Sequence, residues 1–295
     1  MATKKEVSII IPAYNMAWCL PRAIKSCLKQ TVKPSEIIIV DDGSTDKTKS
    51  VMQKLCLEYP HIEYLSLTKN RGAAVAMMTG VKAAKSRWVA FLDADDELTN
   101  DSLALRLAAV ANYASPAKLG FVYGDVYVKH GDNLKLIKNK YLSGYQYPYL
   151  TQELSLCQQI VMLVDRVKLL KSGYPTATLS YATDDDMLMT LAKESEITYT
   201  QNPVAIIHLH QSKSRMSNNL DRVAEGTASL IQKYRKDIIH YHGYGRLFLW
   251  HLRLFRRRVE AEKTREHNIL YSWILKVLYA ALQFFVTKTF DIHWL

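Results

Sequence analysis

Four short apolar stretches, each followed by a polar cluster and then by a helical pattern, constrain this chain more than any other feature. They lie at Val7–Ile11, Glu36–Val40, Ile62–Leu67 and Val89–Leu92 and recur about every 25 to 30 residues. Strands and helices that alternate at this spacing are typical of βαβ units, whose parallel strands end at one edge of a sheet. Ligands bind outside that edge. The alternation therefore predicts an α/β fold with a parallel core and a ligand site where the polar clusters converge.

The most acidic cluster follows the fourth apolar stretch, where four acids lie within the five positions from Asp93 to Glu97. Carboxylates this close repel one another unless a cation or water separates them. Asp93 and Asp95 offer hard oxygen ligands two residues apart, which suit Mg²⁺ or Mn²⁺ shared with substrate phosphates. An acidic turn before a helix capped by Asn100 or Asp101 explains the same residues without a metal.

Two common nucleotide-binding patterns are missing from the sequence. Neither G-x-G-x-x-G nor G-x-x-x-x-G-K-S/T follows the first apolar stretch, which argues against a Rossmann oxidoreductase and a P-loop NTPase. A nucleotide held through a metal by carboxylates is compatible with the acidic clusters. If the protein binds a nucleotide, the sequence therefore favours the proteins that hold it through carboxylates and a cation.

Four motifs in order resemble those of family 2 glycosyltransferases, which have the GT-A fold. They are Ile11-Pro12-Ala13-Tyr14-Asn15, Val40-Asp41-Asp42-Gly43-Ser44-Thr45-Asp46, Asn70-Arg71-Gly72 and Phe91-Leu92-Asp93-Ala94-Asp95-Asp96. The similarity covers roughly residues 5 to 215, and the fixed order of four motifs makes it specific. It implies a mixed, mainly parallel central sheet flanked by helices within residues 1–217. The nucleotide-binding half would span about 5–115 and the acceptor half about 116–217.

The resemblance also assigns roles to individual residues. The nucleotide and the donor sugar would contact Pro12, Tyr14, Asn15, Asp41, Asp42, Lys69, Arg71, Asp93, Ala94 and Asp95. Tyr14 would lie beside the base, and Asp95, Asp93 and His210 would hold the Mn²⁺ or Mg²⁺. One segment departs from the family pattern, because Ala76-Met77-Met78 stands where many relatives have Ala-Arg-Asn. The arginine that would contact the pyrophosphate or the sugar is therefore missing at that position.

A second acidic run, Asp184-Asp185-Asp186, begins a predicted helix, where the helix dipole favours negative charge. Capping alone would account for one or two of these acids. The resemblance assigns Asp184 as the general base that takes the proton of the acceptor hydroxyl, with Asp185 and Asp186 as supporting acids. A base on one side of the sugar and a diphosphate leaving from the other imply a single displacement with inversion.

Four tyrosines crowd one loop of the predicted acceptor half, at Tyr141, Tyr145, Tyr147 and Tyr149. Their flat apolar faces can cover the C–H groups of a sugar ring while their hydroxyls form hydrogen bonds. The alternative is that the rings pack the loop onto the domain. Both interpretations fit the sequence.

The C-terminal region, residues 218–295, carries most of the formal net charge of +11. It contains two predicted helices that break between about His240 and Tyr244, followed by the almost wholly apolar segment 269–287. A central lysine disfavours a membrane-spanning helix, whereas arginines before the segment favour an in-plane helix on anionic lipid. Packing on the protein and association of copies of the chain into a homo-oligomer are the alternatives.

Compartment is suggested by the cysteines and by the first residues. Cys19, Cys27, Cys56 and Cys157 have no C-x-x-C spacing, which predicts reduced, partly buried thiols. The polar start Met1-Ala2-Thr3-Lys4-Lys5-Glu6 shows no apolar signal segment. We therefore expect a cytoplasmic protein at the inner face of the cell membrane.

The sequence thus predicts a metal-dependent, inverting glycosyltransferase that moves a hexosyl or N-acetylhexosaminyl group. The expected donor is a nucleotide-sugar, UDP-linked, and the expected acceptor is a glycan or a lipid-linked glycan in surface polysaccharide synthesis, such as capsule or O-antigen. The alternative is a nucleic-acid-binding protein that uses the basic C-terminal helices. No recognised nucleic-acid motif occurs in the sequence, so no nucleic acid is expected as a partner.

Overall fold

A computed structural model of the protein describes residues 7–174, 182–209 and 220–263. The strands are β1 (Val7–Ala13), β2 (Glu36–Asp41), β3 (Ile62–Ser66), β4 (Trp88–Phe91), β5 (Glu97–Leu98), β6 (Leu119–His130), β7 (Asn133–Ile137), β8 (Leu163–Asp165) and β9 (Glu196–His208). The helices are α1 (Leu20–Leu28), α2 (Thr48–Glu58), α3 (Ala73–Ala83), α4 (Ser102–Ala111), α5 (Tyr147–Glu153), α6 (Arg166–Lys171), α7 (Thr183–Ala192) and α8 (Leu220–Lys263).

The described strands form one mixed sheet in the order β3-β2-β1-β4-β8-β6-β9-β5, with β7 beside β6. Strands β1 to β4 are parallel, as the alternation of strand and helix predicts. The side chains of β1, β2 and β4 are almost all buried on both faces, which explains their continuous apolar runs, whereas in β3 only Ile62 is buried. Antiparallel pairs join β8 to β4 and β6, and β5 to β9, whereas β6 and β9 are parallel.

Strand β1 extends two residues beyond its predicted end at Ile11. Its pairing with β4 stops at Ile10, whose carbonyl accepts the N–H of Leu92 at 3.0 Å. Alternate residues of a strand bond to opposite neighbours, so Pro12, which has no N–H, faces the side that β4 has left. Ala13 still pairs with β2. The pairing of β1 with β4 therefore ends before its pairing with β2, at the edge where ligands bind in α/β sheets.

Two compact units are distinguished within the described residues. The first comprises 7–147, 155–174 and 184–209, and the second comprises 148–154, 182–183 and 220–263. The predicted domain boundary at residue 217 lies outside the described residues. All four cysteines are free thiols, and all but Cys56 are buried, as predicted.

Helix α8 consists of two helices joined at Gly243, which has a non-helical φ of 72°. Arg257 donates a hydrogen bond to the hydroxyl of Thr227, although the two residues are 30 positions apart. In one straight helix they would be about 45 Å apart, so the second helix folds back along the first. The predicted break between His240 and Tyr244 is thereby confirmed. Within the described ranges, no helix has the length and apolar character that a membrane crossing requires.

Candidate active site

Strand β2 ends with Asp41, a buried acid that is bonded within the protein. One carboxylate oxygen accepts the main-chain N–H of Ser44 at 2.8 Å, and the other accepts the hydroxyl of Tyr64 at 2.5 Å. Burial, followed by the contact with Asp41, raises the pKa of Tyr64, so the phenol stays protonated and donates. Asp41 is thus held firmly at the carboxyl edge of the sheet.

The neighbouring Asp42 joins this loop to the loop after β3. Its two carboxylate oxygens accept the main-chain N–H groups of Arg71 at 2.8 Å and Gly72 at 2.7 Å, just before α3. The loops approach so closely that a Cβ atom on Gly43 would lie 2.7 Å from the carbonyl carbon of Lys69. Gly43 also has a φ of +73°, which favours glycine. Asp42 and Gly43 therefore fix the shape of the second and third loops together.

Asn15 fastens the loop after β1 to the loop after β2. Its side-chain oxygen accepts the N–H groups of Thr45 at 2.8 Å and Asp46 at 3.2 Å, and its own N–H donates to Ser44 Oγ at 2.8 Å. A φ of +57° is tolerated by asparagine better than by most residues. Tyr14, next to it, keeps 41% of its surface exposed. Asn15 thus shapes the loop that presents the Tyr14 ring.

Seven of the ten residues predicted to contact the nucleotide and donor sugar lie at the carboxyl ends of β1 and β2 or on the loops that follow β1, β2 and β3. They are Pro12, Tyr14, Asn15, Asp41, Asp42, Lys69 and Arg71. The side chains of Lys69 and Arg71 are exposed. Met77, at the position where many family 2 enzymes carry arginine, is only 1% exposed within α3 and faces the core. Among the residues predicted to contact the nucleotide, Arg71 and Lys69 therefore supply the positive charge.

The acidic loop after β4 is a tight turn in which the carbonyl of Asp93 accepts the N–H of Asp96 at 3.0 Å. Asp96 is buried and accepts the main-chain N–H of His208 at 2.7 Å. Asp93 and Asp95 are half-buried, with Ala94 buried between them. The carboxylate of Asp96 thus ties the turn to β9, and Asp93 and Asp95 lie beside it at the edge of the sheet.

Arg22 and Ser26 of α1, together with Gln30 just after it, hold the acidic loop and the residues that follow this loop. Arg22 donates to the main-chain carbonyl of Asp95. Ser26 Oγ accepts the N–H of Leu98 at 3.1 Å, and Gln30 Nε2 donates to the carbonyl of Thr99 at 2.7 Å. Arg22 and Ser26 are four residues apart and lie on one side of α1, and Gln30 follows two residues after the helix ends. Sequence reasoning missed these contacts, although polar residues at this spacing on a mostly apolar helix were a signal.

Gln159 connects the acidic loop to Asp184. Its side-chain amide donates from Nε2 to Asp93 Oδ1 at 3.2 Å, and its main-chain N–H reaches Asp184 Oδ2 at 3.4 Å. Asp184 is half-buried in the first turn of α7. Asp93, which is predicted to bind the donor, and Asp184, which is predicted to act as the base, therefore both accept hydrogen bonds from Gln159. Gln159 itself gave no signal in the sequence.

The acids that follow Asp184 differ in their exposure. Asp185 is half-buried, whereas Asp186 is only 1% exposed. Cys157 lies close to the first two acids, and burial, followed by the charges of Asp185 and Asp184, raises its pKa well above the usual value. The thiol is therefore neutral and adds no charge beside these carboxylates. Of the three acids, Asp184 is the one joined to Asp93 through Gln159.

A divalent cation fits Asp93 and Asp95 by their chemistry. Carboxylates supply the hard oxygen ligands that Mg²⁺ and Mn²⁺ prefer, and Mg²⁺ commonly takes only one or two from the protein, completing its shell with phosphate and water. Within the described residues, no group of three or more His, Cys, Asp and Glu side chains is arranged as a metal site. His208 bonds to Glu97 Oε1 at 2.7 Å, and the predicted ligand His210 lies outside the described residues.

The tyrosine-rich loop is held by packing and hydrogen bonds. The ring of Tyr141 stacks on Tyr199 with centroids 4.9 Å apart, and its hydroxyl donates to Asp125 Oδ2 at 2.7 Å. Tyr147 is 1% exposed, whereas Tyr145 is 49% exposed. For Tyr141 and Tyr147 the structure therefore favours the alternative in which tyrosines pack the loop onto the domain.

Sequence comparison places these motifs among known proteins. The model of the family described as Glycosyl transferase family 2 matches residues 8–169. Chondroitin synthase of Escherichia coli is 31% identical over 191 residues, which cover 63% of this chain and 26% of that protein. Chondroitin synthase of Pasteurella multocida is 31% identical over 216 residues, covering 72% of this chain and 21% of that protein. The chain thus spans about a quarter of the length of these relatives.

Solved structures share the fold at low sequence identity. Residues 1–349 of S. aureus TarS in complex with UDP-GlcNAc superpose with a TM-score of 0.68 at 17% identity, over 90% of this chain and 76% of that one. The mannosyltransferase PcManGT of Pyrobaculum calidifontis, in complex with GDP-Man and Mn²⁺, gives 0.61 at 20% identity, over 95% and 81%. The predicted GT-A fold is thereby confirmed.

Proposed function

Because this chain belongs to glycosyl transferase family 2, we propose that it moves a sugar from a nucleoside-diphosphate sugar to an acceptor hydroxyl. The observation that supports this most strongly is the bridge through Gln159, which joins Asp93 of the acidic loop to Asp184. A transferase needs one group at the leaving diphosphate and another at the attacking hydroxyl. Asp93 and Asp184 are close enough to serve the two sides of one sugar.

Asp184 is the proposed base. It takes the proton of the acceptor hydroxyl as the oxygen bonds to the anomeric carbon. The bond from that carbon to the diphosphate oxygen breaks, and its electron pair leaves with the nucleoside diphosphate. Attack from the side opposite the leaving group inverts the anomeric carbon. Asp185 and the buried Asp186 are proposed as supporting acids that raise the negative charge around the base.

Asp95 and Asp93 are the proposed ligands of Mn²⁺ or Mg²⁺, with His210 as a third. Such a cation, when bound, neutralises the charge that develops on the departing diphosphate. Arg22 keeps the acidic loop in position through the carbonyl of Asp95. The presence of Mn²⁺ with GDP-Man in PcManGT supports this assignment.

The donor is proposed to be UDP-linked, with its base beside Tyr14 and its nucleoside along the loops after β1, β2 and β3. The structure of TarS with UDP-GlcNAc supports a uridine donor. Asp41 and Asp42 are bonded to the protein through all four carboxylate oxygens. Each such oxygen can accept a second hydrogen bond. These acids therefore shape the nucleoside site and can still accept from the base.

The acceptor is proposed to be a glycan or a lipid-linked glycan of a surface polysaccharide. Relatives named chondroitin synthase and succinoglycan biosynthesis protein support this class. The basic C-terminal region is proposed to touch the inner face of a membrane through segment 269–287, which lies outside the described residues. Sedimentation with vesicles of anionic lipid and of neutral lipid tests this contact. The proposal would be contradicted if as much protein sedimented without vesicles as with them.

The direct test of function is release of nucleoside diphosphate. The protein is incubated with Mn²⁺ and a panel of UDP-sugars and GDP-Man, with and without glycan acceptors. We expect release with one donor, loss of release in Asp184→Asn and Asp95→Ala, and loss on chelation of the metal. The proposal would be contradicted if the protein neither bound nor turned over any of these donors.

A further inference from the structure

The side-chain oxygen of Gln159 is buried and has no hydrogen-bond partner within the described residues. Building on the function proposed above, we propose that Gln159 binds the transferred sugar and accepts a hydrogen bond from a hydroxyl or amide N–H of that sugar. This residue would then recognise the donor by its sugar, separately from the loops that recognise its nucleotide. Three features of the described structure carry the inference.

The first feature is the orientation of the amide. An ionised carboxylate only accepts hydrogen bonds, so the contact with Asp93 Oδ1 at 3.2 Å must be made by the Nε2 group of Gln159. The Oε1 atom then necessarily points away from Asp93. Exchanging the two amide atoms would set an oxygen against a carboxylate. The hydrogen bond to Asp93 of the acidic loop therefore fixes the direction of the Oε1 atom of Gln159.

The second feature is burial. The Gln159 residue is only 6% exposed, and a buried acceptor without a partner is unfavourable in a folded protein. Such atoms call for an explanation, and a ligand that supplies a donor is one. Substrate binding would satisfy this acceptor and would turn an unfavourable feature of the free protein into a favourable contact of the complex.

The third feature is rigidity. Gln159 begins a single 3-10 turn, Gln159–Val161, which is closed by the N–H of Met162 donating to the carbonyl of Gln159 at 2.9 Å. The carbonyl of Met162 accepts from Arg106 at 2.6 Å, and Arg106 is wholly buried in α4. Groups held in this way keep their geometry without a ligand. The acceptor is thus preorganised.

The kind of ligand follows from the hydrogen-bond chemistry. The diphosphate of the donor offers only acceptors at neutral pH, so it cannot satisfy Oε1. Sugar hydroxyls and the N–H of an acetamido group are donors. Because Gln159 lies between Asp93 and Asp184, the group that reaches it belongs to the sugar placed between the leaving diphosphate and the base. We therefore expect Gln159 to distinguish nucleotide-sugars from the bare nucleotide.

Isothermal titration with Mn²⁺ tests this expectation on the full chain. The ligands are UDP and a panel of UDP-sugars, and the variants are Gln159→Met, which keeps the length of the side chain, and the control Gln158→Met at the exposed neighbouring position. We expect Gln159→Met to bind UDP within about twofold of the wild type and its preferred UDP-sugar about tenfold more weakly. The control should match the wild type for both.

A second titration uses donor analogues that each lack one hydroxyl of the sugar. It therefore tests the contact by changing the ligand as well as the protein. The analogue without the contacted group should bind the wild type about tenfold more weakly, yet bind Gln159→Met as well as the complete donor does. This coupling would identify the hydroxyl. If Gln159→Met does not fold, the same analogues on wild type and Gln159→Asn, whose shorter side chain withdraws the acceptor, give the same comparison.

Different outcomes separate this inference from the function on which it rests. A wild type that binds neither UDP nor any nucleotide-sugar would overturn both. A wild type that transfers sugar while Gln159→Met loses UDP and UDP-sugar affinity equally, or loses neither, would overturn only the role of Gln159. Equal losses would mean that the residue merely supports the acidic loop.

Discussion

Two pairs of acids lie at the same edge of the sheet and differ in their surroundings. Asp41 and Asp42, at the end of β2, are 2% and 3% exposed, and all four of their carboxylate oxygens accept hydrogen bonds from the protein. Asp93 and Asp95, after β4, are half-buried. Arg22 and the turn hold the main chain of the second pair, and Asp93 Oδ1 also accepts a hydrogen bond from Gln159 Nε2.

This difference separates two roles that look alike in a sequence. An acid whose oxygens accept main-chain N–H groups fixes loop geometry, and its loss leaves buried donors unpaired. We propose that an acid whose loop is held through the main chain offers its carboxylate to a ligand. Substitutions in the first pair should therefore lower stability, and those in the second pair, together with Asp184, should lower activity. Four predictions test this division, beginning with the largest effect.

Asp184→Asn should reduce kcat by about 10³-fold, because an amide cannot take the proton of the acceptor hydroxyl. Its side-chain oxygen can still accept the N–H of Gln159, so the fold and the affinity for UDP should be retained. Release of UDP and calorimetry measure the two quantities. Activity within tenfold of the wild type would show that another group is the base.

Asp95→Asn should reduce kcat/KM by about 10²-fold through weaker cation binding, and raise the Mn²⁺ concentration needed for half-maximal activity. Its melting temperature should stay within about 2 °C of the wild type, because Arg22 bonds to the carbonyl, which the variant retains. Asp132→Asn, at an exposed turn, is the control. A large loss of stability would remove the distinction between the two acid pairs.

Asp42→Asn should destabilise the protein by about 2 kcal/mol, because the new amide sets an N–H₂ group against a main-chain N–H of Arg71 or Gly72. This corresponds to a melting temperature lower by about 4 to 8 °C. Urea unfolding and thermal melting measure the change. If Asp42→Asn melts like the wild type but no longer binds UDP, Asp42 acts as a ligand-binding acid and not as a brace.

Gly43→Ala should destabilise the protein by about 1 to 2 kcal/mol more than Gly131→Ala, which serves as a matched control. Both glycines have a positive φ, +73° and +58°, but a Cβ atom at Gly43 would lie 2.7 Å from the backbone of Lys69, and one at Gly131 meets nothing within 4 Å. The difference therefore isolates the contact between the two loops. Equal effects would mean that backbone strain alone matters.

Local patterns were sufficient to predict much of this molecule. The period of the apolar stretches predicted the parallel strands β1 to β4, and the acids that follow each strand predicted which residues would meet at one edge. Both depend on residues close together in the chain, since side-chain alternation and strand length are local properties. The break in α8 was predicted in the same way.

What only the tertiary structure decided was the partner of each polar group. The sequence alone determined that Asp41, Asp42, Asp93, Asp95 and Asp184 are acids at the ends of elements. The protein groups that contact these acids include Tyr64, Arg22 and Gln159, which come from distant parts of the chain. Hydrogen bonds form between groups that are close in space, and sequence spacing does not record that distance. The same reason hid Gln159 until Asp93 and Asp184 were seen on either side of it.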